Sequence, residues 1–149
     1  MQARLIPNEV APKAYRAVAT LSAEVESSGI EPRLLRLIEL RASQINGCAF
    51  CMHMHARHAR KLGEKQERLD VLAGWRESPL FSERERAALA WTEALTLVAQ
   101  THAPDAVYEE AVRVLGEVDL VKVTVAIGMI NTWNRIAVGF RSIHPVAEG

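Results

Sequence analysis

Only two cysteines occur in the chain, separated by two residues in the run Asn46-Gly47-Cys48-Ala49-Phe50-Cys51-Met52-His53-Met54-His55. A single CxxC pair cannot build a disulfide framework, and it supplies half of a four-ligand zinc site. Its spacing suits dithiol redox chemistry, in which one thiolate attacks and the second closes a disulfide. On a helix Cys48 and Cys51 lie at i and i+3, and His55 follows Cys51 at i+4, so the three form one stripe. An imidazole beside a thiol can take its proton or stabilise the thiolate, which is the nucleophilic form. Cys48 also falls at the start of its helix, just after Gly47. Unpaired N–H groups and the macrodipole favour negative charge there. The helix end favours Cys48 as the attacking sulfur and the histidine favours Cys51. Spacing leaves that choice open.

The neighbouring histidines admit a metal reading, with Cys48, Cys51, His55 and His58 as four ligands. All four lie on one predicted helix, and one straight helix does not readily close a tetrahedron, so no metal and no cofactor is expected. His53 falls about 200° around the helix from Cys51 and faces elsewhere. His58, three residues after His55, either extends a proton relay or is an ordinary hydrogen-bonded histidine. His102 and His144, near a helix end and a proline, read as structural. Arg36 and Arg41 read as solvated or interface charges, and Trp75, Trp91 and Trp133 as core or interface anchors.

These side chains must be positioned by helices. Val10, Ala14, Val18, Leu21 and Val25 recur at helical spacing, with Gly29 as a stop. Pro32 suits the first turn of a second helix carrying Leu34, Leu35, Ile38, Ala42 and Ile45. Asn46-Gly47 interrupts it, and the chain restarts at Cys48 and runs to Leu62, with Gly63 beyond. A short helix follows from Glu67 to Trp75, then a loop at Ser78-Pro79. Ser82-Glu83-Arg84-Glu85 is a capping box that opens a helix through Leu89, Trp91 and Val98. Another starts at Pro104-Asp105 and ends near Gly116. The last runs from near Val118 towards Gly139. Its β-branched residues Val121, Val123, Thr124, Val125 and Ile127 would suit a strand, but its length favours helix and no second strand candidate exists to pair with it. The expectation is a single all-α domain over residues 1–149 with about six or seven helices.

Charge is balanced, with 18 basic and 18 acidic residues among 149. That argues against nucleic acid or an acidic membrane surface as a partner. The N-terminus carries no apolar run of signal-peptide length. The longest uncharged stretch, between Lys122 and Arg135, falls short of the ~18 apolar residues of a membrane span. A cytoplasmic protein is expected. In a reducing cytosol a CxxC is catalytic or redox-sensing, not a permanent staple.

The run from Glu39 through Cys48, Cys51 and His55 resembles the signature of the alkyl hydroperoxidase D-like family, within the carboxymuconolactone decarboxylase superfamily. The likeness continues through Trp75–Trp91 and resumes at Ile130-Asn131-Thr132-Trp133-Asn134-Arg135. The resemblance implies an all-helical fold, assembly as a homo-oligomer (trimer or hexamer), and peroxide reduction or electron transfer through the CxxC. It implies that Cys51 meets the hydroperoxide, Cys48 resolves the sulfenic acid and His55 relays a proton, with an external protein or small-molecule dithiol reductant resetting the pair.

The family's relay includes a glutamate twelve residues before the first cysteine, and that position here is Arg36. Glu39, one turn later, is the nearest acid on that helix. Either Glu39 takes over the relay, or it is a helix-surface acid paired with Arg36 and the relay is incomplete. Arg36 would then be a fixed positive charge able to stabilise a thiolate. The expected activity is therefore that of a thiol-dependent peroxidase or disulfide oxidoreductase. The alternative is a redox-sensing or interaction module with the same dithiol. A carboxymuconolactone-type decarboxylase is disfavoured, because that chemistry needs no CxxC.

Overall fold

The computed structural model describes residues 1–145; the last four positions of the expected 149-residue domain lie outside the described residues. Among the described residues there are nine α-helices and one 3-10 helix, with no strand. They are α1 (Pro7–Val10), α2 (Pro12–Glu26), α3 (Pro32–Ile45), α4 (Ala49–Lys61), α5 (Gln66–Asp70), the 3-10 helix (Leu72–Glu77), α6 (Glu83–Thr96), α7 (Val98–Thr101), α8 (Asp105–Leu115) and α9 (Glu117–Phe140).

The all-α expectation holds, and the count of six or seven is corrected upward. Each extra piece has a local cause. Pro12 opens α2 and splits the first predicted helix at Ala11, because proline has no N–H to continue a helix already under way. The predicted Glu67–Trp75 helix is two pieces, α5 and the 3-10 turn. The predicted extension of α6 to Val98 is a separate turn, α7, which ends at His102 in the left-handed region (φ 53°).

The helix α3 is the axis of the fold. It packs against α4, α6 and α9 and buries Leu34, Leu35, Leu37, Ile38, Leu40 and Ala42 around most of its circumference. A helix apolar on nearly every side belongs in the interior. Two polar residues, Arg36 and Glu39, are carried inside with it. One core cluster joins α3 to α2, α6, α8 and α9 through Val25, Leu35, Trp91, Leu115 and Ile127. A second, under α4 and the 3-10 helix, gathers Leu37, Leu40, Leu72, Trp75 and Leu89.

The β-branched run of α9 is helical. Leu120, Val123, Ala126, Ile127, Ile130 and Ala137 fall on one buried face, so tertiary burial outweighs a propensity difference of a few tenths of a kcal/mol per residue. Val118, Val121, Val125 and Val138 are exposed on the other side. The capping box at Ser82 and Glu85 forms in both directions, at 3.2 and 2.8 Å. Among the described residues no helix is long and apolar enough to cross a membrane.

Candidate active site

Gly47 sets up the site. Its φ of +64° turns the chain sharply between α3 and α4, a conformation that costs other residues more. The turn leaves Cys48 as the N-cap of α4 in extended conformation, its Sγ accepting the Cys51 N–H at 3.4 Å. The thiol thus takes the place usually held by a serine or aspartate oxygen. The Cys48 N–H donates to the Ser43 carbonyl at 2.9 Å, tying the cap back to α3. Both cysteines are reduced and buried, packed among Ala42, Ile130 and Ala137.

A cavity of about 430 Å³ reaches this cluster. Its walls come from the N-terminal segment, α2, α3, α4 and α9. Arg36, Glu39, Cys51 and His55 line it, whereas Cys48 lies behind Cys51 and does not.

His55 Nδ1 is 2.9 Å from Glu39 Oε2. Arg36 reaches the same oxygen at 3.1 Å and also pairs with Glu26. Both contacts to Glu39 are at ion-pair distance without a well-aligned hydrogen bond. His55 Nε2 is buried without a partner among the described residues. The sequence expectation that Arg36 is a solvated or interface charge is corrected: only 5% of it is exposed, because it lies in the buried middle stretch of α3, residues 34–40. Its charge is taken up by Glu39 and Glu26. Arg41, also expected on the surface, is partly buried and bonds Glu93 at 2.8 Å.

The two thiols share their protons unequally. The Cys48 thiol is pulled down to about 6. The side-chain hydrogen bond from Cys51 does most of this. Burial opposes it, and the Cys51 N–H, the Asn134 amide and His55 add to it. The Cys51 thiol is pushed up, first because its proton is held against the Cys48 sulfur and then because it is buried. Each sulfur is the first cause of the other's shift, so the two titrate as one pair, with Cys48 lowered and Cys51 raised. Of the two sulfurs, only that of Cys51 belongs to a residue lining the cavity.

Sequence reading missed Asn134, Ser43 and Asn46. The buried Asn134 amide donates to Ser43 Oγ at 3.0 Å and accepts from Asn46 Nδ2 at 2.8 Å. Its amide also acts to lower both thiols. Ser43 in turn donates to the Glu39 carbonyl at 2.7 Å. The available signal was an asparagine on the apolar face of α9, since a buried polar group needs a partner. His53, as expected, does not line the cavity, and His58 does. His58 meets His55 edge to face at 6.2 Å between ring centres. Trp75 and Trp91 are buried; Trp133 lines the cavity and donates to Ser22 Oγ at 2.7 Å. Among the described residues no three His, Cys, Asp or Glu side chains converge as metal ligands.

Residues 12–94 match the profile of the carboxymuconolactone decarboxylase family. The chain is 36% identical over 138 residues to the uncharacterized protein YdfG of Bacillus subtilis, spanning 93% of this chain and 94% of that protein. YnjA of Escherichia coli is 32% identical over 78 residues, 52% of this chain and 43% of that protein. A crystal structure from Agrobacterium tumefaciens superposes with a TM-score of 0.95 at 49% identity, covering 97% of this chain and 99% of that one. It is of a protein of unknown function described as a candidate antioxidant defence protein, AhpD. The debrominase Bmp8 shares the fold, with a TM-score of 0.82 at 21% identity, covering 91% of this chain and 73% of Bmp8.

Proposed function

From the premise that this chain belongs to the carboxymuconolactone decarboxylase family and has the fold of its AhpD-like members, we propose that it is a thiol-dependent peroxidase. The observation that carries the reading is Cys51 at the wall of a cavity it shares with His55, whose Nδ1 stands 2.9 Å from Glu39. The proton on Cys51 passes to Cys48, and the Cys51 thiolate attacks the O–O bond of a hydroperoxide. The bond breaks, Cys51 becomes a sulfenic acid, and the departing alkoxide takes a proton relayed by His55 and leaves as an alcohol. Cys48 then attacks the Cys51 sulfur, releasing water and forming the disulfide. Glu39 orients His55 and offsets its charge when protonated, and Arg36 keeps Glu39 in place. A dithiol reductant supplies the two electrons and two protons that restore the pair. The exposed valines of α9 give an apolar surface on which further copies of the chain would pack as a homo-oligomer.

The test is reduction of a hydroperoxide panel by wild type, Cys48→Ser, Cys51→Ser and Glu39→Gln, with free thiols counted. One equivalent of hydroperoxide should remove both thiols of the wild type. Cys48→Ser should stall as a sulfenic acid on Cys51, and Glu39→Gln should slow turnover by about 10²-fold, the scale of an acid–base contribution. Two thiols that survive hydroperoxide, with no turnover under any dithiol reductant, would sink the reading.

A second reading keeps the dithiol as a redox switch that alters assembly without turnover. The lowered thiol is that of the buried Cys48, which does not line the cavity, and this favours it. A change of oligomeric mass on oxidation, at negligible peroxidase rate, would select it.

A further inference from the structure

A second cavity, of about 250 Å³, opens beside the first. Five of the residues lining it are basic types: His53, Arg57, His58, Lys61 and His144. No acidic side chain lines it among the described residues. Among the described residues Arg57 and Lys61 form no ion pair either, whereas seven of the fourteen arginines of this chain do. His53 stacks on His144, with 4.6 Å between ring centres, and its Nε2 is buried without a partner among the described residues. Burial and neighbouring positive charge hold both His53 and His58 below the ordinary imidazole value. Near neutral pH they are uncharged, and Arg57 and Lys61 are the standing cations.

The two cavities share Phe50, Met54 and His58. All three are at least partly exposed, so they form a ridge that a ligand can lie across. On one side of the ridge are two cations without a counter-ion among the described residues. On the other is a pocket walled by Trp133, Met129, Ile136 and Ala137 that ends at Cys51. Along α4, Arg57 and Lys61 stand six and ten residues beyond Cys51, or roughly 9–15 Å at the helical rise. That span fits neither hydrogen peroxide nor a compact organic peroxide. It fits an extended alkyl chain with an anionic end.

We propose that the joined cavities bind a long-chain carboxylic acid hydroperoxide, its carboxylate held by Arg57 and Lys61 and its peroxide carried by the alkyl chain to Cys51. A planar carboxylate matches the fork of an arginine, and the ammonium of Lys61 adds a second positive charge beside it. His53 Nε2 is a further polar contact in the same pocket. The chemistry rests on the peroxidase reading: hydroperoxide plus two thiols gives the hydroxy acid, water and the disulfide. The binding does not.

The test therefore separates binding from turnover. The hydroxy acid corresponding to the reduced product is inert to thiols. Its affinity for the full chain is compared with that of its methyl ester by calorimetry, below the concentration at which either forms micelles. The acid should bind about tenfold or more tightly than the ester, the scale of a charge-assisted contact. In Arg57→Gln/Lys61→Gln that ratio should fall close to one, and Arg57→Lys/Lys61→Arg should recover most of it. Using a ratio within one variant removes any general loss of folded protein from the comparison. Equal binding of acid and ester by the wild type, or a preference that survives the double glutamine substitution, overturns the proposal. So does a double variant impaired only in re-reduction by thioredoxin, which would make the basic pocket a docking point for the reductant. Acid-selective binding without any loss of thiols to the matching hydroperoxide would support the binding site and reject the peroxidase reading.

Discussion

Cys48 and Cys51 are one helical turn apart, and their surroundings give them opposite tasks. Cys48 has the helix end and a thiol donor, and Cys51 has the cavity. A titration of thiolate absorbance near 240 nm should show one thiolate appearing with a midpoint of about 6 in the wild type. Cys51→Ala removes the largest cause of that depression while leaving the backbone donor. The midpoint should then rise towards the ordinary thiol value of about 8.5. A midpoint that does not move would assign the effect to the helix end alone. The CxxC and His55 were legible in the sequence because three functional side chains share one helix, where spacing fixes direction. Glu39 was legible as the nearest acid, but its contact with His55 required knowing that α3 and α4 pack side by side. Asn134, Ser43 and Asn46 were not legible as a group, because they meet across 88 or more positions of chain at their widest separations.

At the scale of elements, periodicity placed the long helices well and misjudged what surrounds them. The Ser82–Glu85 capping box and the Gly47 turn are local chemistry, and both appear where the sequence put them. Arg36 was misplaced because α3 was read as having a solvent face, and only packing against three other helices removes it. Glu93 of α6 shows the same effect. Its carboxylate receives the Trp75 indole N–H and the Arg41 guanidinium, each at 2.8 Å, and Arg76 as well. This joins α3, the 3-10 helix and α6. Burial alone would raise its carboxyl, but those three donors outweigh burial and hold it below the usual value. Glu93→Ala should cost about 1–3 kcal/mol in urea unfolding at neutral pH, since it leaves buried donors unpaired. The sign with pH follows from the depressed carboxyl. Its stabilisation is fully present above the unfolded-state value of about 4.3 and is lost as pH falls through the lower folded value. The difference in stability between wild type and Glu93→Ala should therefore narrow at pH 3. A gap of the same size at both pH values would show that the carboxylate's charge plays no part in it.

At the scale of the whole molecule, the cavity is closed by parts of the chain that no periodicity connects. The N-terminal segment crosses to the far end of α9, where the Arg4 N–H donates to the Phe140 carbonyl and its guanidinium to the Gly139 carbonyl, both at 2.9 Å. These are carbonyls that the end of a helix leaves without partners, and a basic side chain suits that end of the dipole. The contact carries Ile6, Pro7 and Asn8 to the cavity wall opposite α4. The rest of that segment buries nothing: α1 has no buried residue. Its placement depends on a few exposed hydrogen bonds, so it should open far more readily than the core. Arg4→Ala deletes the side-chain bond, worth about 1 kcal/mol, which corresponds to a roughly fivefold larger open population. In a Cys48→Ser background, a bulky maleimide should then label Cys51 several-fold faster, with helical content by circular dichroism unchanged. Equal labelling rates with and without Arg4 would mean that the reagent enters elsewhere, with the ridge of Phe50, Met54 and His58 as the remaining route. A faster rate for the bulky reagent, with no change for a small one such as iodoacetamide, would place the control of access in the N-terminal segment.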